Sequence, residues 1–192
     1  TLKEWEQSLA LVATLDVDHV SAYSLIVEEG TALERRIRRG ELTEPDANLQ
    51  ADMYELADAA FERMGLTWYE LSNWSRSPET RSRHNVAYWL NQDWWGFGAG
   101  AHSHLGARRW WNVKHPAAYA QRVMAGVSPM ADGEEPTVDE TYLEDVLLGT
   151  RLVEGFEISR LSPTAQGVVD ELSREGLVDP EAAEKGRVVL TL

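Results

Sequence analysis

The chain reads Trp68-Tyr69-Glu70-Leu71-Ser72-Asn73-Trp74, then Ser82-Arg83-His84-Asn85-Val86-Ala87-Tyr88-Trp89, then Gly96-Phe97-Gly98-Ala99-Gly100-Ala101-His102-Ser103, then Arg109-Trp110-Trp111-Asn112. These motifs lie within residues 68–112, and the rest of the chain is organised around that stretch. Of the eight tryptophans, only Trp5 lies outside it. A buried indole N–H needs a hydrogen-bond partner, so ordinary core packing seldom uses so many tryptophans so close together. The stretch therefore predicts a pocket for a large planar ligand.

Length, charge and cysteine content restrict the class of protein. A chain of 192 residues with 43% hydrophobic residues can form one sizeable core, or one core and a small appended domain. It has no cysteine, which excludes disulfides, thiol nucleophiles and thiolate-bound iron–sulfur clusters from these residues. The net charge of −14 disfavours nucleic-acid binding, and no apolar run reaches the roughly 20 residues of a membrane span. We expect a cytoplasmic chain without a nucleic-acid partner or an integral membrane segment.

The residues before the aromatic stretch alternate between helix and strand patterns. Leu2, Trp5, Leu9 and Val12 predict an amphipathic helix that begins almost at the first residue, and 18–25 predicts a strand. A short basic helix over 31–39 and a longer helix between Pro45 and Gly65 follow, and 66–71 again predicts a strand. Helices that alternate with strands predict an α/β fold.

The later residues are divided by a turn-rich segment, 128–136, which predicts a linker. Before it we expect a short helix over 82–89, a strand over 94–97, a hairpin of 102–105 with 108–113, and a helix over 117–124. After it we expect helices over 138–153 and 162–176, and then a two-stranded wing of 177–178 with 187–192. Helices followed by such a hairpin are typical of a winged helix, but Asp170, Glu171 and Glu175 give its second helix the wrong charge for DNA.

His84 is the strongest candidate for ligand binding. Spacings of four residues place His84 with Tyr88, and Asn85 with Trp89, on shared faces of the short helix. An imidazole there can ligate haem iron while the indole packs on the porphyrin. The alternative is a structural histidine whose two nitrogens are hydrogen-bonded by neighbouring residues, and spacing alone favours that alternative.

Other polar residues of the stretch allow both a structural and a functional interpretation. His102 and His104 share one face of a strand, but no third metal ligand is evident. The run Gly96-x-Gly98-x-Gly100 lacks the spacing of a dinucleotide-binding loop, so a strand end that approaches a ligand is the better interpretation. Glu70, Ser72 and Asn73 would face a ligand at a barrel mouth, and elsewhere they would form a sheet edge.

Three motifs in this order resemble those of the oxygen-independent coproporphyrinogen III oxidase-like radical SAM family. They are Tyr69-Glu70-Leu71-Ser72-Asn73-Trp74, His84-Asn85-x-x-Tyr88-Trp89 and Gly98-x-Gly100-Ala101-His102-Ser103. The second motif points to the haem-chaperone (HemW) branch of the family. One departure is Trp74, where the family usually has phenylalanine. The resemblance covers essentially the whole chain.

The resemblance implies a place in the fold for each part. Residues 1–127 would hold the last helix–strand unit of a partial TIM-like radical SAM barrel with appended strands, and 137–192 a small helical, winged-helix-like domain. The strand over 20–25 would end toward S-adenosylmethionine (SAM). The residues that would line the SAM cavity are Tyr23, Leu25, Glu70, Ser72, Asn73, Gly98, Gly100, Ala101, His102 and Ser103. Those that would bind haem are His84, as the iron ligand, with Asn85, Tyr88 and Trp89.

The implied function is that of a haem chaperone, which binds haem and transfers it to acceptor proteins. The ligands of the family's [4Fe–4S] cluster are cysteines, so they would lie outside this chain, and we expect a piece of a longer protein that is catalytically inactive alone. An unpaired first strand would favour homodimers. Two alternatives remain: a coproporphyrinogen III oxidase that decarboxylates propionates to vinyl groups, and a non-catalytic structural or docking module.

Overall fold

The computed structural model describes residues 1–191, so position 192, at the end of the predicted wing, lies outside the described residues. The chain is of the α/β class, as its sequence predicts. Its contacts divide it after Ser82 into two compact units. In residues 1–191, no helix combines the length and the apolar content that a membrane crossing requires.

The helices of the first unit are set by capping residues. They are α1 (Leu2–Val12), α2 (Ala32–Arg38) and α3 (Ala47–Arg63). The side chains of Thr1, Thr31 and Asp46 each accept a backbone N–H of the first helical turn. Gly65, with φ of +75°, follows α3 and ends it as predicted, because glycine adopts this conformation without a steric penalty.

The sheet of the first unit differs from the sequence prediction in two respects. Its strands are β1 (His19–Ser21), β2 (Thr67–Glu70) and β3 (Asn73–Ser75), and β3 lies between the other two and is antiparallel to both. The strand predicted over 18–25 is therefore only three residues long, and β3 was not predicted. Within the described residues these strands do not close a barrel.

The core of the first unit surrounds Trp74, whose side chain is 0% exposed. The rings of Phe61 and Tyr54 pack against it at centroid distances of 5.0 and 5.6 Å. The indole N–H donates to the carboxylate of Asp58 over 2.7 Å, which satisfies its polar group inside the core. The other buried members of this cluster are Leu9, Ala57, Ala60 and Leu66.

The second unit begins with α4 (Arg83–Trp89), close to the helix predicted over 82–89. The predicted hairpin is also present as β4 (His102–Leu105) and β5 (Arg108–Asn112). A third strand, β6 (Met130–Glu134), follows α5 (Pro116–Met124) and pairs with β5. The segment 128–136 is therefore part of a sheet rather than a linker, and the contact boundary lies after Ser82 instead.

The strand predicted over 94–97 is absent. Trp94 makes one antiparallel bridge with His104, and the following residues have no regular structure. Gly98 has φ of +110°, a backbone conformation that no strand uses. The aromatic residues gave this segment the composition of a strand, but the segment forms a loop that continues into Gly98.

The end of the second unit has its own core but differs from a winged helix. It contains α6 (Val138–Gly149), β7 (Phe156–Glu157), α7 (Pro163–Gln166), α8 (Val169–Arg174), α9 (Pro180–Glu184) and β8 (Arg187–Val188). The helix predicted over 162–176 is split into α7 and α8. The predicted wing is reduced to one bridge between Val178 and Leu190, because β8 pairs with β7 and α9 replaces the acidic turn. The winged-helix detail is thus not confirmed.

Candidate functional site

The predicted haem ligand lies in a row of rings within the second unit. His84, in the first turn of α4, lies 4.7 Å from Tyr88 between ring centroids, with the two planes at 75°. Tyr88 contacts Trp94 at 5.1 Å, and Trp94 lies 6.4 Å from His104. The helical spacing of four residues brings the first pair together, as predicted. The rest of the row depends on the bridge between Trp94 and His104.

The His84 side chain is exposed, whereas its helix neighbours Asn85 and Trp89 are half-buried. Among the described residues, none forms a hydrogen bond with either ring nitrogen of His84. An imidazole in this position can approach an iron atom that comes from solvent. The indole N–H of Trp89 is buried and has no hydrogen-bond partner within residues 1–191.

The glycine run forms a loop that polar side chains hold in place. The Gly96 N–H donates to the hydroxyl of Ser103 over 3.0 Å, and the Asn112 amide donates to the carbonyls of Gly96 and Gly98. The Gly98 N–H donates to the hydroxyl of Tyr119. A Cβ on Gly96 would lie only 1.8 Å from the carbonyl oxygen of His102, so only glycine fits there.

The role of Asn112 and Tyr119 was not predicted. A polar residue directly after Trp110-Trp111 was the available signal for Asn112, because its buried amide must find acceptors. Gly98, Gly100, Ala101, His102 and Ser103 lie in the loop and at the start of β4, as expected. His102 packs against Trp111 at 5.6 Å, and Ser103 is buried under the loop. Among residues 1–191, no group of three His, Asp or Glu side chains could hold a metal ion.

In the first unit, Glu70 and Asn73 form a buried polar network. Their exposed fractions are 1% and 2%, and the Asn73 amide donates hydrogen bonds to the Glu70 carboxylate and to the hydroxyl of Tyr23. Ser21 donates to the amide oxygen of Asn73 over 2.5 Å. Three of the predicted SAM-lining residues, Tyr23, Glu70 and Asn73, are therefore brought together, although two of them are buried.

An apolar groove of about 350 Å³ lies next to this network. Tyr23 and Leu25 line it together with Trp5, Leu49, Met53 and Tyr54. The Gln50 side chain donates to the carbonyl of Leu25, and the backbone N–H of Ala22 donates to the carbonyl of Ser72. Tyr23 and Leu25 thus line one groove, and the Ser72 carbonyl holds the backbone of Ala22, which lines it too. The prediction that these residues and the 98–103 loop line one cavity remains a prediction.

A second unpredicted cluster surrounds Tyr69, which is buried in β2. Its hydroxyl lies 2.9 Å from His19 Nε2 and accepts the N–H of Ser82, the residue before α4. The guanidinium of Arg81 lies over the Tyr69 ring at 5.2 Å. Burial lowers the pKa of His19, and the charge of Glu70 opposes that shift in part. The local geometry therefore favours a neutral His19.

The comparisons with known proteins come from sequence and from structure. The haem chaperone HemW of Mycobacterium tuberculosis is 47% identical over 175 residues, which is 91% of this chain and 44% of that protein. HemW of Bacillus subtilis is 35% identical over 98% of this chain and 49% of that protein. No protein-family model matches the chain. The chain belongs to the HemW branch of the oxygen-independent coproporphyrinogen III oxidase-like radical SAM family.

The fold agrees with this family. Coproporphyrinogen III oxidase (HemN) from Escherichia coli, a radical SAM enzyme, superposes with a TM-score of 0.70 over 98% of this chain and 48% of its own, at 20% identity. At that identity the likeness concerns the fold alone. This HemW-branch chain spans about half the length of the relatives it matches, and the C-terminal placement predicted from its motifs fits that coverage.

Proposed function

We propose that this chain binds haem through His84 and that the protein containing it delivers haem to acceptor proteins. The observation that carries the proposal is the exposed His84 imidazole, which has no hydrogen-bond partner in the described residues and lies against Tyr88 at 4.7 Å. The names of the HemW relatives support it. In this function haem is bound for transfer and is not a resident cofactor. Asn85, Tyr88 and Trp89 would surround it.

The family also implies SAM and a [4Fe–4S] cluster in the whole protein. This chain has no cysteine, so any cluster ligands lie outside its 192 residues. The groove at Tyr23 and Leu25 supports a role for the first unit beside SAM, whereas the buried Glu70 and Asn73 would act by holding Tyr23. We extend the proposal to a cytoplasmic location and to a possible homodimer through β1.

Two alternatives predict different behaviour. A coproporphyrinogen III oxidase would use a 5′-deoxyadenosyl radical to decarboxylate propionates, and the His84-Asn85-x-x-Tyr88-Trp89 motif disfavours it because that branch usually lacks the motif. A structural or docking module predicts no haem binding at all. We expect the 192-residue chain alone to be inactive in decarboxylation in every case, since no cluster ligands are present.

A haemin titration of the 192-residue chain, followed by absorbance, tests the proposal. We expect a shifted Soret band, and for His84→Ala an unshifted band with binding weakened about tenfold, which corresponds to roughly 1.4 kcal/mol. His115→Ala is the matched control, because His115 is also exposed and lies in the same unit. Equal spectra for the wild type and both variants would contradict iron ligation by His84.

A further inference from the structure

We propose that a second surface of this chain stacks on the flat face of a tetrapyrrole and binds one of its carboxylates without any contact to iron. The surface is formed by Trp95, Leu105, Arg108 and Trp110, and we call it the Trp95 face. This proposal rests on the proposed haem-binding function, because it takes the same class of ligand. It adds a position for the ligand that does not involve His84.

The register of the hairpin places these residues on one side. Ser103 pairs with Trp110 and Leu105 pairs with Arg108, so all four side chains project from the same face of β4 and β5. Ser103 is buried below the 95–98 loop, and Trp95 from that loop packs on Trp110 at 5.1 Å with the ring planes at 80°. Trp95 nevertheless remains 60% exposed. An indole of this size at the surface leaves a broad flat area for a ligand.

The loop that carries Trp95 is held by buried polar groups. The Gly96 amide is bound by Ser103, and the Asn112 side chain binds the carbonyls of Gly96 and Gly98. Gly133 in β6 packs closely beside Trp110: a Cβ added at position 133 would lie 3.1 Å from the Cβ of Trp110, so a larger residue would crowd the indole. The structure therefore fixes two apolar rings at the surface. Preorganised apolar surface of this kind is typical of a binding site.

The charge at this face decides the class of ligand. Arg109 is paired with Glu134 at 2.9 Å and with Glu144 at 2.5 Å, on the other side of β5. Arg108 is exposed and has no ion pair in the described part of the chain. The carboxylate of Asp93, which precedes Trp94, accepts the N–H of Gly106 in the hairpin turn. A cation beside two indoles fits a flat apolar ligand with carboxylates at its edge, and a tetrapyrrole with propionates has both features.

The Trp95 face is separate from the iron ligand proposed above. His104 follows Ser103 in β4 and therefore projects from the opposite face of the strand. Trp94 packs against His104 on that side, and Tyr88 and His84 continue the row of rings from there. The second unit would thus offer one position that ligates iron and one that does not. A protein that transfers a tetrapyrrole can use the second position when the iron bond is broken.

Metal-free protoporphyrin IX tests the Trp95 face directly, because it cannot form an iron–imidazole bond. The porphyrin is titrated into the 192-residue chain, and its fluorescence anisotropy and the tryptophan quenching are followed. For Arg108→Gln we expect binding weakened about threefold, as for a partly exposed ion pair, and for Trp95→Ala about tenfold. His115→Ala, at an exposed position outside both proposed tetrapyrrole positions, should bind this porphyrin like the wild type. Arg174→Gln is the control for lost positive charge, since Arg174 is also exposed and unpaired in residues 1–191.

The outcomes separate this inference from the haem-ligation proposal. If protoporphyrin IX binding is lost in His84→Ala but unchanged in Arg108→Gln and Trp95→Ala, the Trp95 face is not a tetrapyrrole site. Equal weakening by Arg108→Gln and Arg174→Gln would likewise overturn it, since the charge effect would then be unspecific. A third outcome, in sedimentation, is that the wild type is a dimer and that Arg108→Gln and Trp95→Ala are monomers with unchanged porphyrin binding. The Trp95 face would then be a contact between two copies of the chain, and the inference would be wrong. The haemin spectrum of His84→Ala remains informative in each case.

Discussion

Asn73 donates a hydrogen bond from its side-chain amide to the carboxylate of Glu70, and both side chains are almost completely buried. The same amide group also contacts the hydroxyl groups of Ser21 and Tyr23. A buried carboxylate is costly unless it receives hydrogen bonds, so Asn73 serves as a central donor in this network. This relationship connects the middle strand β3 with β2 and with the residues that follow β1.

Replacement of Asn73 by alanine should therefore destabilise the first unit strongly. The substitution removes one donor to the Glu70 carboxylate and leaves a cavity in the network, so we expect a loss of about 2–4 kcal/mol in the free energy of unfolding. Urea unfolding followed by tryptophan fluorescence measures it. Ser72→Ala is the control, because the neighbouring Ser72 contributes its backbone carbonyl. A loss below about 1 kcal/mol would show that Glu70 does not depend on Asn73.

Trp74→Phe tests the residue at the centre of the core of the first unit. Phenylalanine keeps a ring against Phe61 and Tyr54, but it removes the indole N–H that donates to Asp58 over 2.7 Å. We expect a loss of about 1–3 kcal/mol from the smaller ring and the lost hydrogen bond. The exposed Trp95→Phe is the matched control and should change the free energy of unfolding by less than about 0.5 kcal/mol. An equal effect of the two substitutions would contradict the importance of the buried indole.

Residues with short-range signals were predicted well, whereas those fixed by distant partners were not. The ends of α1 and α3 follow from Thr1 and Gly65, and the β4–β5 hairpin follows from its two-residue turn. The local pattern over 82–89 predicted a short helix that carries His84, and α4 confirms that helix. β6 was missed because α5 separates it in sequence from its partner β5. β3 was missed although only two residues separate it from its partner β2, because a strand of three residues gives too short a pattern to recognise. The β-propensity of individual residues contains little information on which strands pair with each other.

The polar clusters of the candidate site also depend on contacts that the sequence alone does not predict. Glu70 and Asn73 belong to one motif, but their burial depends on strand register, which one residue of slip would reverse. The hydrogen bond between Tyr69 and the residue before α4 joins positions 69 and 82, and the sequence contains no local pattern for it. The Trp94–Phe97 segment was assigned to a strand on composition, but Gly96 within it lies against the His102 carbonyl and the adjacent Gly98 has a positive φ, and both favour a loop.

Gly96→Ala should disrupt the loop that carries Trp95. The added Cβ would meet the backbone carbonyl oxygen of His102 at 1.8 Å, and a paired strand cannot move away from it easily. We expect a loss of roughly 3 kcal/mol in the free energy of unfolding, together with a change in the near-UV circular dichroism of the tryptophans. Gly167→Ala is the control: Gly167 has φ of −64°, and a Cβ there meets nothing closer than 3.4 Å. A stable Gly96→Ala variant with an unchanged spectrum would contradict the close approach.

Tyr54 should make the stability of the first unit depend on pH in the alkaline range. Its hydroxyl donates to the carbonyl of Leu71 over 2.6 Å, and burial raises its pKa to about 12, to which the charges of Asp58 and Glu70 add. In the unfolded chain the pKa of tyrosine is about 10. As pH rises from about 10 to about 12, the unfolded state loses this proton while the folded state keeps it. The free energy of unfolding therefore falls as pH rises through this window.

Tyr54→Phe isolates the contribution of the Tyr54 hydroxyl to the pH dependence of stability, since the other tyrosines titrate in both proteins. The variant loses the hydrogen bond to Leu71 at every pH, which we expect to cost about 1 kcal/mol near neutral pH. Above about pH 10 its stability should decline less steeply than that of the wild type, so the difference between the two narrows. Urea unfolding at several pH values between about 8 and 11.5 measures both curves. Curves that stay parallel across this range would show that the phenol of Tyr54 titrates alike in the folded and unfolded chain, because only a pKa difference between the two states makes stability depend on pH.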